Sequence, residues 1–241
     1  MKRDITEFVN THPAVMLARN AIELTKRAVA SVLAQDIPVH LHVIDNNSTD
    51  GTMEFLGTQL PRVTFETFRP GLGVSASWNT ALTTVFRKYD HCLVLNNDIE
   101  LRPDTYRSLL DDGGPFVTAV SVDNPAAIQG EWRKAPRPHP DFSCFLIRRD
   151  VWQKVGLFDE SMVLYASDAD YHLRMHQAGI EAYTIGIPFY HYASGTLKSS
   201  TELDRREIQA QADRDRARFM EKWGCRVGSP EYYKMFGTEA P

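Results

Sequence analysis

Leu93-Val94-Leu95-Asn96-Asn97-Asp98-Ile99-Glu100 is the stretch on which the reading of this chain turns. An apolar run stops abruptly at three side chains that carry oxygen ligands, so a buried strand is expected to deliver a polar cluster to the edge of a sheet. The cluster is either a plain turn, in which Asn and Asp bond to their own backbone, or a set of oxygen ligands for a divalent cation. What the rest of the chain sends to the same edge decides between the two.

Upstream, residues 13–19 are apolar, and Leu24, Ala28, Val29, Val32 and Leu33 then recur at helical spacing. Pro38 punctuates the chain before Val39-His40-Leu41-His42-Val43-Ile44, which runs into Asp45-Asn46-Asn47-Ser48-Thr49-Asp50-Gly51-Thr52. Strand, amphipathic helix and strand make a βαβ unit with parallel strands and a right-handed crossover. Ligands of open parallel sheets bind beyond the carboxyl ends of the strands, which singles out Asp45, whereas Asp50 reads as a helix N-cap. Residues 62–68 alternate as a strand. Gly71 and Gly73 open a helix expected to reach Lys88, in a pattern that matches neither the dinucleotide nor the P-loop fingerprint; they are expected to let the backbone approach a ligand or a neighbouring strand.

Beyond the opening cluster, Pro103 is expected to start a short helix through Leu110, and residues 116–122 form another strand. Residues 123–141 are proline-rich and aperiodic, and loops this long are commonly lids or binding segments; Trp132, beside Arg133, Lys134 and Arg137, is expected either to stack on a sugar or a base or to plug the domain edge. An apolar run over 142–148 and a helical turn near Val151 lead to Gly156-Leu157-Phe158-Asp159-Glu160. Asp168 opens a helix expected to end at Gly179. Asp170 and Arg174, four apart on that helix, are expected to pair, which makes Asp170 the structural carboxylate. A last strand over 180–187 precedes His191. From Glu202, a helix with Ile208, Ala212, Phe219 and Trp223 on one face carries six acids and six bases by Lys222, so it is expected to dock with a solvated outer face.

The composition suits an ordinary globular chain: 241 residues, 43% hydrophobic and 24% charged. A net charge of −4 gives no global basic field for nucleic acid. Cys92, Cys144 and Cys225 are too few and too scattered for a disulfide framework or a zinc site. No apolar run has the length of a membrane span, and the expected location is cytoplasmic.

In this order, an Asp after the second strand, a glycine-led helix, a strand ending in an Asp-bearing triplet, a Gly-Leu-Phe-Asp-Glu segment, an Asp-x-Asp helix start and a late His resemble the family 2 glycosyltransferases of the GT-A fold. The resemblance covers roughly Val15 to His191 and is densest at Val43 to Thr52, Leu93 to Asp98, and Arg148 to Asp170 with Arg174 beyond. It implies an α/β fold with a Rossmann-like, mixed but mainly parallel sheet flanked by helices. A GT-A domain would span about 1–200, with a nucleotide-sugar half near 13–98 and an acceptor half near 99–200, and 201–241 would dock on it as a helical appendage.

The implied reaction is inverting transfer of a hexosyl or deoxyhexosyl group from a nucleoside-diphosphate sugar to an acceptor hydroxyl. Asp45, Ala18, Arg19, Asn96 and Asn97 would meet the nucleotide, Asp98 and His191 would hold Mn²⁺ or Mg²⁺, and Asp168 would be the general base. The acceptor would be a saccharide or glycoconjugate, with a protein side chain or a hydroxylated nucleobase as alternatives. Three positions depart from the family pattern: Asn96 replaces the first Asp of its Asp-x-Asp, Ser167 stands where an acid often precedes the base, and Gly71 stands where an Asn is common. Ser167 leaves the base open between Asp168 and Asp170. A non-catalytic sugar- or nucleotide-binding module is a competing reading. Nucleotidyl transfer is disfavoured, because Ala18-Arg19-Asn20-Ala21 lacks a glycine-rich basic loop.

Overall fold

The computed structural model describes residues 11–129, 140–192 and 202–239. Eight strands form one sheet: β1 (His12–Ala18), β2 (Val39–Asp45), β3 (Val63–Thr67), β4 (His91–Asn96), β5 (Ile99–Glu100), β6 (Phe116–Val122), β7 (Cys144–Arg148) and β8 (Ala182–His191). The helices are α1 (Ile22–Leu33), α2 (Thr52–Thr58), α3 (Val74–Val85), α4 (Thr105–Asp112), α5 (Arg149–Val155), α6 (Ser167–Gln177), α7 (Glu202–Trp223) and α8 (Pro230–Lys234). Trp132, Arg133, Lys134 and Arg137 lie outside the described residues.

The strand order is β3-β2-β1-β4-β7-β6-β8-β5. β1 pairs in parallel with β2 on one side and with β4 on the other, so the chain reverses its direction of growth between β1 and β4, and their carboxyl ends flank a crevice. β7 is antiparallel to both β4 and β6, and β6 is parallel to β8. The sheet is therefore mixed, with its β3-β2-β1-β4 half wholly parallel.

Strand alternation explains how this sheet is covered on both faces. Ala14, Met16 and Ala18 of β1 join a cluster with Ala28, Val29 and Val32 of α1. Val15 and Leu17 point the other way, toward Trp78, Ala81 and Leu82 of α3 and Tyr171 and Met175 of α6. A strand buried on both faces needs a continuous apolar run rather than alternation, which is why residues 13–18 show none. A third cluster joins Met162, Ala169 and Leu173 to Phe219, Cys225 and Tyr232, and fastens α7 and α8 onto α6.

Several boundaries differ from the sequence expectation. Pro103 lies in the turn before α4, which starts at Thr105 and runs on to Asp112. α3 stops at Val85 rather than Lys88. Gly51, not Asp50, is the N-cap of α2. Asp50 instead accepts from the Thr52 N–H (3.2 Å) and the Ile22 N–H (2.8 Å), so one carboxylate serves the first turns of two helices. All three cysteines are free and buried. Among the described residues, no helix is long and apolar enough to cross a membrane.

At the far end of the sheet from the crevice, His12 Nδ1 lies 3.1 Å from His91 Nε2, and His40 and His42 both contact Thr64 Oγ1. Burial, followed by neighbouring positive charge, pushes His40 and His91 down to about 4, and burial also lowers His12 and His42. A histidine held neutral in the fold takes up its proton more readily in the unfolded chain. Between about pH 6.5 and 4, unfolding therefore binds protons, and stability falls as the pH drops through that window. The thermal midpoint is expected to fall by several degrees from pH 7.5 to 4.5, and the double variant His40→Asn, His91→Asn should flatten that slope. An equally steep slope in the double variant would show that other groups drive it.

Candidate active site

The crevice between β1 and β4 is built by loops that bind one another. Asn20 and Ala21, both with left-handed backbones, end β1. The Asn20 N–H donates to Ser48 Oγ (2.8 Å), and Asn20 Oδ1 accepts from the Thr49 N–H (2.8 Å). Asn97 locks this corner, its Nδ2 donating to Asn20 O (3.0 Å) and Thr25 Oγ1 (2.8 Å). That member of the triplet therefore has a structural job. Gly73, with φ of 82°, brings the start of α3 against the loop before α6: Val74 N–H donates to Val163 O (2.7 Å), and a Cβ on Gly73 would fall 2.4 Å from Val163 Cγ1.

Asp98 meets His191 through a register that pairs distant parts of the chain. The short strand β5 runs antiparallel to β8 with Ile99 opposite His191, and the Tyr192 N–H donates to Asp98 O (2.9 Å). His191 Nε2 then lies 3.4 Å from Asp98 Oδ1. His191 closes β8 rather than following it, because that strand continues through Pro188. Burial works against protonating the ring, but the Asp98 carboxylate, with Asp141 beyond it, outweighs that and raises the His191 pKa above its ordinary value.

Two adjoining clefts open here. The first, about 770 Å³, is lined by Ala18, Arg19, Asn46, Asn47, Asn96, Asn97, Asp98 and His191, and on its far side by Glu207, Ile208, Gln211 and Arg214 of α7. The second, about 980 Å³, contains Asp141, Ser143, Ser167 and Asp168, with Asp213, Arg216, Met220 and Arg226 from the C-terminal segment. Val74, Asn96, Leu164 and Tyr165 form a wall common to both.

The two acids at the start of α6 are treated differently. Asp170 is fully buried and committed: it pairs with Arg174 (2.8 Å) and Lys222 (2.8 Å) and accepts from Trp223 Nε1 (2.9 Å). Asp168 is exposed to the second cleft. Desolvation by the surrounding protein is the largest influence on its carboxyl and raises the pKa; N–H donors, including Ala169 at 2.8 Å, oppose the rise, and nearby Asp141 adds to it. Asp45 lies behind the wall of the first cleft rather than on it. It is fully buried, its Oδ1 accepts from the Ser48 N–H (3.2 Å), and its Oδ2 has no partner among the described residues.

Sequence reasoning missed Asp215. It is fully buried on α7 and accepts from the Val163, Leu164 and Tyr165 N–H groups (3.0, 2.8 and 2.9 Å) and from Gln211 Nε2 (2.7 Å), so it fixes the loop that forms the shared wall. The signal was available, since Asp215 falls between Ala212 and Phe219 on the docking face. Asp141 was missed as well; it lines the second cleft at the end of a loop whose other residues gave no periodicity.

Among the described residues, no three His, Cys, Asp or Glu side chains gather as a metal site. Asp98 supplies a hard carboxylate oxygen and His191 an imidazole nitrogen at one point, which fits a cation such as Mn²⁺ that completes its shell with water and substrate phosphate oxygens.

A mainly parallel sheet with this strand order, a cleft at its switch point and a mixed second half defines a GT-A fold. Among solved structures, the mannosyltransferase PcManGT from Pyrobaculum calidifontis, in complex with GDP-Man and Mn²⁺, matches with a TM-score of 0.60 and 16% identity over 93% of this chain and 67% of that one. TarS 1-349 from S. aureus in complex with UDP matches with a TM-score of 0.59 and 14% identity over 75% of this chain and 60% of that one. The sequence model of glycosyl transferase family 2 matches residues 14–174, and the chain belongs to that family. An N-acetylglucosaminyl-diphospho-decaprenol L-rhamnosyltransferase of Mycobacterium tuberculosis is 26% identical over 64% of this chain, which spans 66% of that relative's length.

Proposed function

We propose that the protein is an inverting glycosyltransferase that moves a sugar from a nucleoside-diphosphate sugar to an acceptor hydroxyl. The observation that carries this reading is the pair of clefts with a common wall: Asp98 and His191 line one, and Asp168 lines the other. The donor occupies the first cleft, with the nucleotide near Ala18, Arg19, Asn47 and Asn96, and the acceptor enters the second. Asp45 Oδ2, buried behind the wall of the first cleft with no partner among the described residues, would accept from a base N–H once Asn46 and Asn47 move aside, because a buried carboxylate oxygen gains most from a donor when it has no other. The donor half, about 13–98, contributes most of the first cleft, while segment 201–241 walls both.

Asp98 and His191 would hold Mn²⁺ or Mg²⁺, which supplies positive charge to the diphosphate as it departs. Asp168 takes the proton of the acceptor hydroxyl. The acceptor oxygen attacks the anomeric carbon from the side opposite the diphosphate, the carbon–oxygen bond to the diphosphate breaks with its electron pair, and one displacement inverts the centre. The exposed raised-pKa carboxylate of Asp168 and the full commitment of Asp170 favour Asp168 as base. The relative's name describes rhamnosyl transfer to a lipid-linked saccharide, which supports a hexosyl or deoxyhexosyl donor and a saccharide or glycoconjugate acceptor. Asn96 favours one competing reading, a donor-binding module without turnover.

A thermal-shift screen over nucleotide sugars, with and without Mn²⁺, tests the proposal. One donor should raise the melting temperature, because a ligand that binds only the native state stabilises it, and Mn²⁺ should enlarge that shift in the wild type. The enlargement should vanish in Asp98→Ala. A shift indifferent to both metal and mutation would remove Asp98 from the metal site, and turnover of any donor would exclude the binding module.

A further inference from the structure

Helix α7 straddles the two clefts. Its buried line of Ala212, Asp215 and Phe219 holds it down, and the neighbouring line of Glu207, Ile208, Gln211 and Arg214 faces the donor cleft. Most arginines on this helix with a described partner are neutralised by an acid on the same helix: Arg206 by Glu202, Arg216 by Asp213 and Arg218 by Glu221. Arg214 is different. Its Nε and Nη2 donate to Gln211 Oε1 (3.1 and 2.6 Å), a neutral amide oxygen, and it makes no ion pair among the described residues.

Gln211 is itself oriented, since its Nε2 donates to the buried Asp215 carboxylate (2.7 Å). A chain of hydrogen bonds thus runs from the cleft wall through Asp215 and Gln211 to Arg214, and aims a guanidinium without cancelling its charge. Within the same cleft the triplet offers one carboxylate, Asp98, because Asn96 is neutral. Besides Asp98 the cleft's lining holds one other acid, Glu207 of α7, and neither pairs with Arg214, so a guanidinium with no ion pair among the described residues, in a cleft that also offers Asp98 to a cation, suits a doubly charged phosphate group. Arginine matches phosphate oxygens with paired N–H donors, in a geometry that lysine does not reproduce.

We infer that Arg214 binds the diphosphate of the donor and stabilises the departing nucleoside diphosphate, so that an arginine from the C-terminal helix supplies charge where the triplet has lost an acid for the metal. The inference rests on the nucleotide-sugar reading above. As the bond between the anomeric carbon and the diphosphate oxygen breaks, the electron pair stays on that oxygen, and Arg214 donates to the charge that develops. Asp215 and Gln211 are positioning residues for it.

Calorimetric titration of the wild type, Arg214→Ala and Arg214→Lys with UDP, GDP and dTDP, and with the matching nucleosides, tests this in Mn²⁺ buffer. The nucleoside diphosphate that binds the wild type should bind Arg214→Ala about tenfold or more weakly, with incomplete recovery in Arg214→Lys. The matching nucleoside should bind all three proteins alike, a contrast that a general disturbance of the cleft would not produce. Equal diphosphate affinity in the wild type and Arg214→Ala overturns the inference and leaves the nucleotide reading standing, and so does an equal loss of nucleoside and diphosphate binding. A wild type that binds no nucleoside diphosphate overturns the nucleotide reading and this inference with it.

Discussion

Asp168→Asn is expected to lower sugar transfer by about a hundredfold or more, the usual contribution of a positioned general base, while donor affinity stays within a few-fold of the wild type. The split follows from the architecture. Asp168 opens into the second cleft and Asp98 and His191 into the first, so removing the base leaves the donor's contacts intact. A hydroxyl proton must go somewhere as its oxygen attacks, and an amide cannot take it. The pH profile is a second check. Desolvation first, and Asp141 after it, raise the Asp168 pKa above the ordinary carboxylate value against the pull of its N–H donors. The base works only when deprotonated, so the acid limb of the rate profile should lie at higher pH than an ordinary Asp would give, and Asp168→Glu should keep a limb that Asp168→Asn lacks. Transfer that survives Asp168→Asn at near wild-type rate would place the base elsewhere, with Asp141 the next carboxylate in that cleft.

How far the sequence could be read depended on whether a feature was local. The βαβ start was legible because the apolar runs at 13–18 and 39–44 and the helical spacing between them are properties of short windows. The pairing of Asp170 with Arg174 was legible for the same reason, since four residues on a helix fix a distance. The meeting of Asp98 with His191 was not legible from the residues. It depends on a two-residue strand, Ile99–Glu100, pairing with β8 more than ninety residues away, and only the family resemblance joined the two. Asp45 shows how far a position alone can be read. Its place at the end of β2 is as expected, yet parallel strands are buried to their tips, and the side chain lies behind the cleft wall that Asn46 and Asn47 line. The triplet itself proved to be two things at once, with Asn97 tying a turn together and Asp98 facing the cleft.

Asp215→Ala is expected to be the most destabilising of the single substitutions considered, and to damage both clefts together. Residues 202–222 balance six acids against six bases, and on that pattern an Asp reads as part of a solvated face. Here the carboxylate is fully buried, and four N–H donors offset the cost of removing it from water. Alanine would leave three backbone donors of the 163–165 loop and one side-chain donor without their acceptor. Buried donors left unsatisfied cost about 1–3 kcal/mol each before relaxation and water entry, so a net loss of about 3 kcal/mol is a restrained expectation. For a domain of this size that is roughly 6 to 12 °C in melting temperature. Asp215→Asn keeps the volume and one acceptor oxygen but turns an NH₂ toward another N–H, and should fall between. Leu164 and Tyr165 belong to the common wall, so donor affinity and transfer should decline together in these variants, unlike the split expected for Asp168→Asn. A melting temperature for Asp215→Ala within a degree of the wild type would mean that the 163–165 loop finds its donors' partners elsewhere, and that α7 is not what holds the wall between the clefts.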